Sequence, residues 1–347
     1  MREFSYALLK KLIRFGLSCY YQEVRMHGLK ELPTDKPMLI LPNHQNALLD
    51  PLLIAAFAYE SPFFLTRADV FTGGLLESFF RFLHMIPIYR LRDGRDTLGR
   101  NEAVFSQCTR LLANDKSIVM FPEANHNLQR RVRPLSKGFT RILFGALEAI
   151  PGKEIYVVPV GINFVRGEGF PDRVAFYFDQ PIPTRSFYQP GDERSSVFAV
   201  RDKVSSRLRE LTTHIPEQSY TKVSSVLDSM HVDYTDPVAT NRMVREIMEG
   251  KITEQSGGTT KKITGRLWDG IFILLNLPVV LLWKLVVKPR VSEPEFISTT
   301  RFLFALLIYP LIYILLLIFL PRGPFPGFIP GALLLHFVFN QLYVKFR

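Results

Sequence analysis

Between residues 35 and about 185, short apolar runs rich in β-formers alternate with stretches of helical periodicity. PMLIL (37–41), FFL (63–65), IPIY (86–89), SIVMF (117–121), IYVVPVGINF (155–164) and VAFYF (174–178) predict strands. The segments between them predict helices at 51–59, 74–84, 100–113 and 137–149. Strands that are apolar throughout are those buried on both faces, and strands separated by helices pair in parallel. The pattern therefore predicts an α/β fold, a largely parallel sheet flanked by helices. In such sheets functional groups collect just past the carboxyl ends of strands. His44, Arg90 and Glu123 follow three different strands in that way, which predicts one shared cleft.

Outside this rhythm the pattern changes. Residues 1–30 form an N-terminal segment in which Phe4, Leu8, Leu12 and Phe15 recur at helical spacing among Lys10, Lys11 and Arg14. Such an amphipathic helix either packs on its own domain or lies among lipid headgroups, and its apolar runs are too short for a secretory signal core. The α/β domain is expected over 31–190, a polar helical extension over 191–252 and a Gly/Thr-rich flexible linker over 253–267. Residues 268–347 read as a membrane region. The stretch 302–320 holds 19 uncharged residues, enough to cross a hydrocarbon core, and 328–344, with His336, Asn340 and Gln341, serves as the return arm of a hairpin. The stretch 270–283, interrupted at Asn276 and Pro278, is short enough to be interfacial or re-entrant. Lys284, Lys288, Arg290, Arg301, Lys345 and Arg347 flank the hairpin, whereas Arg322 alone lies in its turn. The positive-inside rule then places both ends, and the α/β domain, on the cytoplasmic side of the cytoplasmic membrane.

Charge adds a partner class. A net +11 suits either nucleic acid or an anionic membrane surface. The long apolar segments favour the membrane, and neither RLRDGRD nor QRRVRP comes with a nucleic-acid-binding signature. Cys19 and Cys108 form no metal or redox spacing and suit a reducing compartment. His44, Asp50, His84 and His126 lack the close spacing of a metal site, so no metal is expected.

The stretch NHQNALLDP carries the candidate chemistry. Asp50 before Pro51 suits a helix N-cap, and His44 just past a strand end can face that carboxylate. An Asp–imidazole hydrogen bond fixes the tautomer and leaves the other ring nitrogen to take a proton from an alcohol. No Ser or Cys in an elbow context is present, so direct attack by a substrate hydroxyl is the simpler chemistry. Backbone amides near the start of the 51–59 helix are the expected donors to a developing oxyanion.

At these positions the sequence resembles the PlsC-type glycerolipid acyltransferases, over roughly residues 25 to 185. NHQNALLD is similar to the first block of that family, IPIYR (ending in Arg90) to the second, MFPEANHN to the third and VVPVGINF to the fourth. LSKG (135–138) resembles the Lys-Gly that follows the third block. The resemblance implies His44 as general base and Asp50 as its orienter, Arg90 on the acceptor's phosphate and Glu123 positioning the acceptor. It makes Asn43 and Lys137 further substrate-contacting candidates and gives Pro159 a place in shaping the acyl end of the cleft. It implies acyl transfer from acyl-CoA or acyl carrier protein to glycerol-3-phosphate or 1-acylglycerol-3-phosphate, with no cofactor, at membrane lipids.

Two departures bear on this. Five residues, not four, separate His44 from Asp50, a spacing that resembles the yeast-type glycerol-3-phosphate acyltransferase subgroup. Ala124 and NHN stand where Gly and Thr-Arg-Ser are usual, so Arg130, Arg131 or Arg133 would have to supply the missing guanidinium. The alternatives are a lyso amino-acid lipid as acceptor, or a catalytically silent lipid-binding membrane module.

Overall fold

The central strand shows why the sheet forms. In the computed structural model, which describes residues 2–58, 61–71, 73–89, 99–252, 263–319 and 328–347, strand β2 (Met38–Pro42) is buried at every position. Its side chains alternate between two cores. Leu39 and Leu41 join Ile118, Val157, Leu65 and Ile86 on one face, while Met38 and Ile40 join Val119, Val158 and Phe64 on the other. The apolar run is thus the signature of a strand covered on both sides.

Around it stand β1 (Tyr21–His27), β3 (Phe63–Arg67), β4 (Met85–Ile88), β5 (Ser117–Val119), β6 (Tyr156–Phe164) and β7 (Asp172–Phe178), in the order β1-β7-β6-β2-β5-β3-β4. A short β8 (Ile182–Pro183) pairs with β6. The β6–β7 and β6–β8 pairings are antiparallel and the others parallel, so the expected fold class holds. Gly161 in β6 is required by close approach, since a Cβ there would sit 2.0 Å from the Leu211 carbonyl oxygen.

One face is covered by α4 (Asn101–Ala113), α5 (Gly138–Ala149) and α6 (Glu193–Leu211), the other by α1 (Arg2–Tyr20) and α2 (Leu49–Phe57). A further helix, α3 (Gly74–Phe82), precedes β4. Two differences from the sequence expectation follow. Residues 21–27, expected to continue the N-terminal helical segment, form β1 instead. This strand tolerates Glu23 and Arg25 because it is an edge, paired with β7 alone. Helix α6, expected to open the helical extension, packs Val197, Val200, Val204 and Leu208 on the sheet. The extension keeps a small core of its own, made by Ile215, α7 (Tyr220–Ser229) and α8 (Pro237–Met248).

The C-terminal region is helical: α9 (Ile263–Leu275), α10 (Leu277–Leu282), α11 (Ile297–Phe319) and α12 (Phe328–Phe346). Most of the expected linker and the hairpin turn lie outside the described residues, but 263–267 are already helical. Among the described residues one helix, Pro294–Phe319, is long and apolar enough to cross a membrane, or two if the segments bent by 90° around Asn276 count as one span. Only 6% of its most apolar stretch is buried, which is not the state of a soluble core helix. Asn276 is buried at the bend and exchanges hydrogen bonds with Asn340, while Tyr309 donates to Asn276 Oδ1 at 2.7 Å.

Candidate active site

The turn after β2 carries the first two candidate residues. Asp50 is fully buried and its Oδ2 accepts three hydrogen bonds, each at 2.8 Å: from His44 Nδ1 and from the backbone amides of Gln45 and Asn46. Two backbone amides already donate to this oxygen, so it acts as an acceptor toward the ring as well, which places the imidazole proton on Nδ1 and the lone pair on Nε2. Nε2 has no hydrogen-bond partner among the described residues. The ring stacks on Phe121 at 4.1 Å and meets His126 edge-on at 5.5 Å. Burial first, then the neighbouring His44, holds the His126 imidazole below its ordinary value.

Asp50 was expected to cap its helix, and it does not. Helix α2 begins at Leu49, so Asp50 sits inside the first turn and reaches backwards instead. The extra residue between His44 and Asp50 is absorbed where Ala47 takes a φ of +32° and the Asn46 carbonyl accepts the amides of Leu49 and Asp50. The expected oxyanion donors at the helix start are therefore largely occupied: Gln45 and Asn46 face Asp50, and Leu49, Asp50 and Leu52 bond to backbone carbonyls.

Glu123, after β5, comes to the same place but is itself engaged. Its Oε2 accepts the His44 amide at 3.3 Å and Arg133 Nη2 at 2.7 Å, and its Oε1 accepts the Arg133 amide at 2.9 Å. Arg133 Nη2 also reaches the carbonyls of His44 and Asn125. Ala124, the residue standing for the usual glycine, has a φ of +63°, a conformation that costs a residue with a Cβ about 1–2 kcal/mol.

The other candidates lie elsewhere in function or place. Asn43 is buried and its side-chain amide continues the sheet, accepting the Ile162 amide at 2.6 Å and donating to the Ile162 carbonyl at 3.2 Å. Arg130 donates to the carbonyls of Phe164 and Val165 at the end of β6 and lies 3.4 Å over the Tyr234 ring, the work of a buried clamp. Arg131 pairs with Glu217 at 2.6 Å. Lys137 is exposed just before α5. Pro159 lies within β6 opposite Leu41. Arg90 lies outside the described residues. His84 sits at the start of β4, between the rings of Tyr6 and Phe63, at the opposite end of the sheet from His44. Among the described residues the metal-type ligand atoms of His126, Glu293 and Glu295 lie within 4.8 Å of one another, a set that contains neither His44 nor Asp50.

One arginine, Arg67, is absent from the sequence expectation, and another, Arg133, is not singled out by it. Arg67 ends β3 on the same side of the sheet as His44, pairs with Asp69 and acts electrostatically on His126. The strand-end rule that singles out Arg90 applies to it equally. Arg133 was one of three arginines in QRRVRP, and only packing selects it. The helical extension holds that loop: Ile215 N donates to the Arg130 carbonyl and Val132 N to His214 Nδ1 at 3.0 Å.

Burial, with Arg209 and Arg131 nearby, pushes the His214 imidazole down from 6.5 to about 4. Between those values the unfolded chain takes up a proton that the folded chain refuses, so stability is lost as pH falls from 6.5 to about 4. Melting followed across that range is expected to show this loss, and His214→Gln to flatten it. An unchanged slope would refute the assignment.

Comparison with known proteins gives the following. Residues 23–163 match the protein family described as Acyltransferase. The chain is similar to glycerol-3-phosphate O-acyltransferase 1 of Saccharomyces cerevisiae, 26% identical over 106 residues, covering 29% of this chain and 14% of that protein. It therefore spans only a small part of that relative. It is also similar to the crystal structure of the 1-acyl-sn-glycerophosphate (LPA) acyltransferase PlsC from Thermotoga maritima, at a TM-score of 0.41 and 19% identity over 60% of this chain and 83% of that one.

Proposed function

Residues 23–163 being an acyltransferase-family domain, we propose that the protein moves a fatty acyl group from a thioester, acyl-CoA or acyl carrier protein, to a hydroxyl of glycerol-3-phosphate or 1-acylglycerol-3-phosphate at a membrane. The observation that carries this reading is the His44–Asp50 contact at 2.8 Å, with Nε2 unengaged among the described residues. His44 Nε2 takes the acceptor hydroxyl proton, the oxygen attacks the thioester carbonyl and a tetrahedral oxyanion forms. That oxyanion collapses with departure of the thiolate, which recovers the proton from His44. Asp50 keeps the imidazole in the required tautomer. Arg67, at the end of β3, and Arg90, which the resemblance to the second block assigns to the phosphate, bind the acceptor's phosphate. Glu123 acts by fixing Arg133 and the His44 backbone rather than by touching the acceptor.

The membrane enters through the helices. Phe4, Leu8, Leu12 and Phe15 all point outward from α1, at 74%, 49%, 55% and 60% exposure. Phe15 stacks on Phe337 of α12, and Gly16 leaves room for Phe302 and Leu306 of α11. This apolar stripe is thus continuous with the membrane region, which supports α1 as an interfacial helix and α11 as a span. The α/β domain lies on the cytoplasmic side, by the distribution of basic flanks.

The test is a panel assay: membranes containing the protein, one labelled acyl thioester, and as acceptors glycerol-3-phosphate, 1-acylglycerol-3-phosphate and a phosphate-free lyso amino-acid lipid. Incorporation into a phosphorylated acceptor is expected. A strong preference for the phosphate-free one would overturn the phosphate-binding role of the arginines.

A further inference from the structure

The turn between β6 and β7 joins two parts of the molecule that the sequence keeps far apart. The Gly167 carbonyl oxygen accepts Asn46 Nδ2 at 2.7 Å from one side and Ser298 Oγ at 2.7 Å from the other. Asn46 belongs to the turn that carries His44 and Asp50, and Ser298 to the first turn of α11. Both side chains are 1% exposed. A carbonyl oxygen has two lone pairs, so these two donors saturate it. We infer that the first turn of the membrane helix is a positioning element of the reaction, with Ser298 acting through Gly167 and Asn46 on the His44–Asp50 pair.

The chain of contacts is short and continuous. Ser298 Oγ and Asn46 Nδ2 meet at Gly167 O, the Asn46 amide donates to Asp50 Oδ2, and that same oxygen accepts His44 Nδ1. The carbonyl is a fixed point. Asp172, itself buried, accepts the amides of Arg166, Gly167 and Arg173. Gly167 has a φ of +71°, and a Cβ there would meet Leu128 Cδ2 at 2.9 Å. The start of α11 is held at other points too. Tyr20 OH donates to the Ser298 carbonyl at 3.4 Å, Arg301 Nη1 donates to the Glu168 carbonyl at 3.1 Å, and Phe296 packs edge-on against His126. The five-residue spacing matters here. Asn46 ends up with its carbonyl opening helix α2, its amide on Asp50 and its side chain on Gly167.

A displacement of about 1 Å in a reacting group costs on the order of a hundredfold in rate. The inference rests on His44 being the base. Its test compares Asn46→Ala, Ser298→Ala, Ser298→Thr and the double variant Asn46→Ala/Ser298→Ala, reading kcat, KM for both substrates, melting and retention in membranes. Each alanine variant is expected to lower kcat by about tenfold or more while KM stays within about twofold. Ser298→Thr, which keeps the hydroxyl, is expected to restore kcat. The double variant is expected to be no slower than Asn46→Ala alone, because Ser298 then has no route to Asp50. Wild-type kcat in both single variants, multiplying losses in the double variant, or losses that merely follow melting would overturn the inference. If His44→Ala is inactive while both single variants behave as wild type, this inference alone falls. If His44→Ala stays active, the base assignment falls and takes this one with it.

Discussion

His44→Ala is expected to lower acyl transfer by about a hundredfold to ten-thousandfold, with binding of the thioester and of the acceptor little changed, because general-base assistance accounts for rate factors of that size. The side chain is 15% exposed, and melting of the variant, followed beside the assay, separates loss of chemistry from loss of fold. Asp50→Asn separates charge from shape. The replacement keeps an oxygen where Oδ2 accepts the three donors and loses the negative charge that favours the imidazolium formed during proton transfer. A smaller drop, with kcat more affected than KM, is the expected result in a radiolabelled acyl-transfer assay. Asp50→Ala should be worse than either in stability, since the amides of Gln45 and Asn46 would be left buried and unpaired, at about 1–3 kcal/mol each. Equal incorporation by wild type and His44→Ala would remove the histidine from the chemistry.

The second large effect is expected at Glu123. Its carboxylate is 2% exposed and the Arg133 guanidinium 16%, so the pair is held in a poorly solvated setting. Removing one partner of such a pair costs about 3–5 kcal/mol, because the other charge stays behind uncompensated. Against a typical domain stability of about 5–15 kcal/mol that is a large fraction. Glu123→Ala should therefore lower the melting temperature clearly and abolish activity, with Glu123→Gln intermediate. Arg133→Met combined with Glu123→Gln removes both charges and keeps an oxygen for one of the two backbone amides that Glu123 accepts. That double variant is expected to regain part of the stability and little of the activity. Full activity in it would show that the pair has only a stabilising part.

How much of this was legible beforehand differs from residue to residue. The strand-end position of Glu123 was readable, but its engagement was not. The sequence offers three arginines in QRRVRP as equals. Only the position of the loop against β6, Tyr234 and Glu217 turns Arg130 and Arg131 away and leaves Arg133 on Glu123. Asn43, a substrate-contacting candidate by sequence, is a backbone surrogate between two strands. Asp50–Pro51 carries the local signal of a helix cap, yet the carboxylate faces the turn before it. In each case a long-range partner outcompeted the local preference, and such partners leave no trace in nearby residues.

By itself the sequence determined the central strands, the covering helices and the apolar C-terminal helix, because burial on one or both faces writes a period into the residues concerned. It also determined that His44 and Glu123 stand just past strand ends. The tertiary structure decided which polar groups are used up and which are left over. It turned the apolar stripe of α1 outward, made residues 21–27 an edge strand, chose Arg133 among its neighbours and joined Ser298 to Asn46 through one carbonyl. A hydrogen bond depends on distances of tenths of an ångström between segments more than a hundred residues apart. Packing sets those distances, and the hydrophobic pattern records only that the segments meet.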